Sequence, residues 1–217
     1  MSIADPTVFI VDDDEATRTS LRWLIESVGL AVETFPSAQA FLDAYDCNRP
    51  GCIVIDVRMP GMSGLDLQRR LAEEAVCSPV IIITGFGDVP LAVRAMKNGA
   101  IDFIEKPISD QALLDRVQEA VRTDQQRRED QTRRAELTER VKRLTPRELE
   151  IMKHVVAGKP SRVIAAELQL SPKTIEAHRA RLMDKLQANC VADVVRIALL
   201  TRVCEHDEKV GNHGLTQ

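Results

Sequence analysis

Residues 52–56 read Cys-Ile-Val-Ile-Asp, four apolar side chains closed by a carboxylate, and Val57-Arg58-Met59-Pro60 follows. This is the pattern of an apolar β-strand that stops at Asp56. Three more runs stop the same way. Thr7–Val11 ends at Asp12 and Asp13, Val80–Ile83 at Thr84 and Gly85, and Asp102–Glu105 at Lys106 and Pro107. Helical periods lie between the runs. Leu21, Leu24, Ile25 and Val28 recur at i, i+3, i+4 and i+7, and Gly29 marks the stop. Further helices are predicted at about 37–46, 64–76, 88–98 and 109–122. Strands alternating with helices of this length pair in parallel through right-handed crossovers. The expected fold is α/β, a doubly wound (βα)5 parallel sheet over residues 1–122. In such a sheet the carboxyl ends of the strands share one edge, so residues distant in sequence converge there.

The residue types gathered at that edge suit phosphoryl chemistry. Asp13 and Asp56 would chelate Mg²⁺, which prefers oxygen ligands and keeps several waters, while Asp12 would act through a bound water. The cation would offset repulsion between a carboxylate and an incoming phosphoryl group. Asp56 is then the nucleophile and forms an aspartyl phosphate. Lys106 would place a positive charge, and Thr84 a hydroxyl donor, on the phosphoryl oxygens. Gly85 leaves room for a large donor. Each residue alone has an ordinary explanation: Asp caps, Lys-Pro turns, and Phe103 is a typical core residue. The joint placement is what points to a phospho-acceptor.

The 217 residues are 44% apolar and 29% charged, with a net charge of −4. That figure hides an asymmetry. Residues 1–122 carry 11 Lys/Arg against 19 Asp/Glu, whereas residues 144–203 carry 10 against 6. Different partners for the two halves are expected. Cys47, Cys52, Cys77, Cys190 and Cys204 form no C-x-x-C pair, which fits free thiols in a reducing compartment. No signal-peptide pattern opens the chain, and no apolar stretch approaches the ~20 residues of a membrane span. A cytoplasmic protein without membrane association is expected.

Residues 123–143 (TDQQRREDQTRRAELTERVKR) contain neither Gly nor Pro, and only Ala135 is apolar between Val121 and Leu137. Sustained a/d positions are missing, so a solvated helical linker is predicted rather than a coiled coil. Residues 144–203 are all-helical in period, a four-helix unit. Thr145-Pro146-Arg147-Glu148 is a capping box with Pro at N1, and Gly158 closes that helix. Ser161 is the expected cap of a second helix running to about Leu168. Ser171-Pro172 opens a third through Leu186, and a fourth spans about Val191 to Val203. Residues 204–217 form a polar tail.

The tight Gln169-Leu170-Ser171 connection suggests a helix-turn-helix with its third helix in a major groove. Ile175, Leu182 and Leu186 share one face with His178. Lys173, Ala177, Ala180 and Asp184 point away, flanked by Glu176 and Arg181. Two alanines allow close approach to thymine methyls, and Glu176 can accept from cytosine N4. Lys173, Thr174, Arg179 and Arg181 are better placed for phosphates. All seven aromatics lie at or before Phe103, which argues against base stacking on single strands. Duplex DNA is the expected partner. His178, His206 and His213 lack companions at zinc-ligand spacing.

VDDDEATR (11–18), IDVRMPGMSG (55–64), ITGFGD (83–88) and DFIEKP (102–107) resemble the receiver domain of two-component response regulators, in its FixJ-like branch. The resemblance implies a cognate histidine kinase as donor and a cis Lys106-Pro107 bond. It further implies a metal contact from the Arg58 backbone carbonyl and a Thr84–Phe103 switch acting on the face of helix 4, strand 5 and helix 5. The Arg58 and Phe86 side chains would tune phosphate lifetime. Residues 144–203 are similar to LuxR-type output domains at TPRE, IA, TIEAH and KL, with Ser161-Arg162 where the family has Asn-Lys. Together these imply a transcription factor that dimerises on phosphorylation and binds promoter DNA, with RNA polymerase left open as a further partner. Two other readings compete with this one, a small-molecule phosphatase and an adaptor. Aspartyl-phosphate phosphatases carry a second acid two residues after the nucleophile, and Arg58 stands there. An enzyme is therefore not expected.

Overall fold

The computed structural model describes residues 5–85 and 89–203. The chain divides into two compact units between Glu129 and Asp130.

In the first unit five parallel strands, β1 (Thr7–Val11), β2 (Ala31–Phe35), β3 (Gly51–Asp56), β4 (Val80–Thr84) and β5 (Asp102–Glu105), stand in the order β2-β1-β3-β4-β5. Helices α1 (Glu15–Glu26), α2 (Ala38–Ala44), α3 (Gly64–Glu73), α4 (Val89–Lys97) and α5 (Asp110–Lys142) connect and follow them. Alternation along the strands builds two cores, one per face of the sheet. Phe9, Val11, Ile53, Ile55 and Ile82 join one, and Val8, Ile10, Cys52, Val54, Ile81 and Ile83 the other. Burial on both faces is why β1, β3 and β4 read as apolar runs, whereas the edge strands β2 and β5 carry charged residues. It also pushes the Cys52 thiol up to about 12, leaving an unreactive side chain.

Two details differ from the sequence reading. Helix α1 ends at Glu26, and Val28 is exposed beyond it, ahead of Gly29 at φ 80°. The stretch 123–143 is not uniformly solvated. Residues 123–142 lie within α5, and the division between the units falls inside that helix. Asp124 is fully buried, accepting from Gly51 N (2.9 Å), Arg127 Nη2 (2.5 Å) and Arg128 Nε (2.6 Å). Arg128 also donates to the carbonyls of Cys47, Asn48 and Arg49. At the other end Leu137 joins the core of the second unit. Charged composition hid both anchors.

The second unit holds the end of α5 and α6 (Pro146–Val156), α7 (Ser161–Glu167), α8 (Pro172–Leu186) and α9 (Val191–Thr201). Ile151, Met152, Ile164, Ile175, Leu182, Leu186, Val194 and Ile197 fill its core. The Thr145 capping box forms as predicted, and Ser171 Oγ caps α8 through Thr174 N at 3.0 Å. Ser161 does not cap α7. Pro160 occupies that position, and Ser161 Oγ instead accepts from Arg179 Nη1 at 3.3 Å. A proline one residue earlier already sets the extended backbone that a cap requires. The tail 204–217, with Cys204, His206 and His213, lies outside the described residues.

Glu148 closes the capping box on Thr145 N (2.8 Å) and accepts from Lys185 Nζ (2.6 Å), although it is almost wholly buried. Burial works to raise its pKa, but Lys185 and Thr145 outweigh it and hold the carboxyl below the usual range. A lowered folded pKa contributes stability above the unfolded value and loses it as pH falls through the folded value. Glu148→Gln should therefore cost this unit about 2 kcal/mol near pH 7, as for a charged hydrogen bond, and less on acidification. Urea melts from pH 7 to 3, followed by far-ultraviolet circular dichroism, check both the loss and its convergence.

Candidate functional site

At the carboxyl ends of β1, β3 and β5, three charged side chains meet. Lys106 Nζ lies 2.7 Å from Asp56 Oδ1 and 3.0 Å from Asp12 Oδ2. The remaining oxygens are held by backbone: Asp56 Oδ2 accepts from Arg58 N at 2.7 Å, and Asp12 Oδ1 from Asp14 N at 2.8 Å. Asp12 is 3% exposed and Asp56 7%. Thr84, at the end of β4, is buried beside them in the sheet, where its carbonyl accepts from Lys106 N at 2.7 Å.

The loop after β3 is shaped to this site. Gly64 N donates to Val57 O at 3.0 Å. A Cβ on Gly64 would stand 2.1 Å from the carbonyl oxygen of Asp56, so only glycine lets α3 begin this close to the strand end. Ser63 Oγ caps α3 through Asp66 N.

Burial raises the Asp56 pKa above the ordinary carboxylate value. Lys106 and the Arg58 amide pull it down, and the Asp12 charge pushes it up again. Burial also works against the Lys106 ammonium, yet its bonds to Asp56 and Asp12 hold its pKa above the ordinary lysine value. The site is thus a desolvated cluster of two crowded carboxylates and one cation, in which burial opposes the charge on Asp56 and the carboxylates hold the charge on Lys106.

Asp12, Asp56, Thr84 and Lys106 are brought together, as the strand-end reading requires. Asp13 is exposed at the rim, and its carbonyl accepts from Arg18 Nη1 at 2.9 Å. Among the described residues no three His, Cys, Asp or Glu side chains form a ready metal cage. Two carboxylates at one edge nonetheless suit a hard cation that keeps most of its waters. Arg58 is exposed, and Phe103 is half-buried against the core on the α3 side of the sheet. The Lys106-Pro107 bond is cis. Phe86 lies outside the described residues.

In the second unit, α8 exposes Lys173, Glu176, Ala177, Ala180, Arg181 and Asp184, with Ile175, Leu182 and Leu186 buried beneath. Two residues expected to meet phosphates also make internal bonds: the Thr174 hydroxyl shares a 2.8 Å bond with Ser171, and Arg179 Nη1 donates to Ser161 Oγ at 3.3 Å, one of its five N–H donors. Arg179 closes α8 onto the start of α7, a contact that periodicity within α8 could not foresee.

Residues 8–118 match the response regulator receiver domain, and residues 142–198 match the bacterial regulatory proteins of the luxR family. The chain is 43% identical over 192 residues to transcriptional regulatory protein FixJ of Bradyrhizobium diazoefficiens, covering 88% of this chain and 94% of that protein. It is 40% identical to response regulator protein TodT of Pseudomonas putida, covering 91% and 87%. Among solved structures, response regulator StyR aligns with a TM-score of 0.82 at 40% identity, over 90% of this chain and 99% of that one. Full-length FixJ from B. japonicum aligns with a TM-score of 0.56 at 41% identity, over 91% and 97%. With its acid–lysine cluster at the strand ends and its helical second unit, the chain belongs to the response regulators that join a receiver domain to a LuxR-family domain.

Proposed function

We propose that the protein is a cytoplasmic transcription factor switched by phosphorylation of Asp56. The observation carrying this is the 2.7 Å Asp56–Lys106 contact beside Asp12 at the end of β3. An Asp56 oxygen forms the new bond to phosphorus as the P–N bond of a kinase phosphohistidine breaks, the electron pair leaving with the imidazole nitrogen. Lys106 then exchanges its carboxylate partners for phosphoryl oxygens. Thr84 donates to the same group, and Phe103 turns into the space Thr84 vacates. Asp12, Asp13, Asp56 and the Arg58 carbonyl would hold Mg²⁺, which supplies charge neutralisation between carboxylate and donor.

The output reading rests on the exposed face of α8. Lys173 and Arg181 would position it on phosphates, and Glu176, Ala177 and Ala180 would face base edges. One such helix reads few base pairs, so a two-fold dimer on paired half-sites follows. On the receiver, Val89, Val93 and Met96 leave α4 with an exposed apolar face suited to pairing. On α9, Val194 and Ala198 are consumed by the core, so the pairing residues would be Val191, Leu199 and Leu200 rather than the buried positions of that helix.

Beryllofluoride with Mg²⁺ should convert monomer to dimer in sedimentation equilibrium and raise duplex affinity. Affinity should fall steeply with salt, as counterion release requires. Lys173→Ala should weaken all sequences alike, whereas Glu176→Ala should relax preference at one base pair by about 1–3 kcal/mol. An unchanged monomer fraction with the mimic bound would reject the switch, and salt-independent binding would reject the DNA-binding face.

A further inference from the structure

The last turns of α5 and the α8–α9 turn enclose a polar cavity of about 240 Å³ within the second unit. Arg133, Glu136, Leu137 and Arg140 face it from α5 at i, i+3, i+4 and i+7, and Arg196 faces it from α9. Leu137 and Ile197 make an apolar floor, both buried in the core. The lining therefore carries three guanidinium groups over an apolar base.

Two carboxylates, Glu136 and Asp193, line the same cavity, so the lining keeps a net charge of +1. Asp193 spends one oxygen on Asn189 N (2.9 Å) and Cys190 N (3.3 Å), capping α9, and the other on Arg196 (3.0 Å). It thus pairs with Arg196, and the uncommitted positive charge is that of Arg133 and Arg140. Glu136 and Arg133 form no ion pair among the described residues. Arg140 makes one long contact, to Leu186 O at 3.4 Å, which leaves most of its five N–H donors for a ligand. Guanidinium forks match the tetrahedral oxygens of phosphate, and converging forks bind it far better than one. The volume is below that of pockets for drug-sized ligands, and it suits a small polyatomic anion.

We propose that this cavity is a phosphate-binding site built by Arg133 and Arg140, with Arg196, paired to Asp193, at its edge. The group could come from a backbone phosphate of a bound duplex, which rests on the DNA-binding reading, or from a free phosphorylated small molecule, which does not. The chemistry is shared, and the two sources separate experimentally.

The test uses the full-length protein without Mg²⁺, titrated with inorganic phosphate and pyrophosphate against chloride at constant ionic strength, with amide chemical shifts as the readout. Saturable shifts are expected around Asn189, Asp193 and Arg196, weakened roughly tenfold in Arg140→Gln, as for one charged hydrogen bond. In parallel, the dependence of duplex affinity on log salt is measured for wild type, Arg140→Gln and Arg133→Gln. A slope shallower by about 0.9 in either variant assigns the site to a duplex phosphate. Unchanged slopes with variant-sensitive shifts assign it to a free anion. Failure of wild type to bind any duplex would sink the DNA-binding reading while the anion titration still stands. Absence of saturable shifts together with unchanged slopes, or shifts indifferent to Arg140→Gln, would overturn the proposal.

Discussion

Asp56→Asn is expected to abolish phosphorylation outright. Acetyl phosphate with Mg²⁺ should add one phosphoryl group to the wild type and none to the variant, read by intact-mass spectrometry. Asparagine keeps the shape and an acceptor for Lys106, but its amide is no nucleophile. Labelling of the variant equal to wild type would move the acceptor elsewhere. The same substitution carries a stability signature. Burial raises the Asp56 pKa. A raised folded pKa makes a carboxyl contribute fully below its unfolded value, and that contribution is lost as pH rises through the folded one. An ionised Asp56 is thus a burden on the fold, sharpened by the Asp12 charge. Asp56→Asn should raise the melting temperature at pH 7, and the gain should vanish below about pH 4, near the unfolded carboxyl value. Mg²⁺ should stabilise the wild type at pH 7 and the variant much less. A function kept at a cost in stability is the common pattern for such sites.

The second large effect is expected at Asp124. Its carboxylate answers Gly51 N, Arg127 and Arg128 with no solvent exposure. Asp124→Ala would strand two partly buried guanidinium groups and one backbone donor. Breaking a buried pair from one side costs about 3–5 kcal/mol, and partial exposure of both arginines places this case near 3. Asp124→Asn, which still accepts from Gly51, should lose less. A receiver fragment ending at residue 122 should be destabilised relative to one ending at 129 by a similar amount. Urea melts by circular dichroism test all three. Equal stability of the two fragments would show that residues 123–129 add nothing to the receiver.

The strand-end logic was legible because it depends only on local facts. Apolar runs of four or five residues identify strands buried on both faces, and alternating helices force parallel pairing. A parallel sheet then brings Asp12, Asp56, Thr84 and Lys106 to one edge whatever the details. Caps such as Thr145 and Ser171 were equally local, each resting on a side chain and an amide three residues apart.

What the chain alone could not reveal depends on partners far away in sequence. Asp124 sits among charged residues and reads as solvated, but its acceptor role is set by Gly51, 73 positions earlier. Ser161 looks like a cap, yet Pro160 takes that role and Arg179 claims its hydroxyl. Val194 and Ala198 of α9 are taken up by the core of the second unit, which the period of that helix alone does not show. The three arginines that rim the α5–α9 cavity lie on two helices separated by some fifty residues of chain, and only packing makes them neighbours. Backbone propensity and hydrophobic period act over one or two turns, so they determined the sheet, its edge and the helix starts. The fate of each polar side chain was decided by which donor, acceptor or apolar surface the tertiary fold placed against it, because burial makes an unmatched charge costly and a matched one specific.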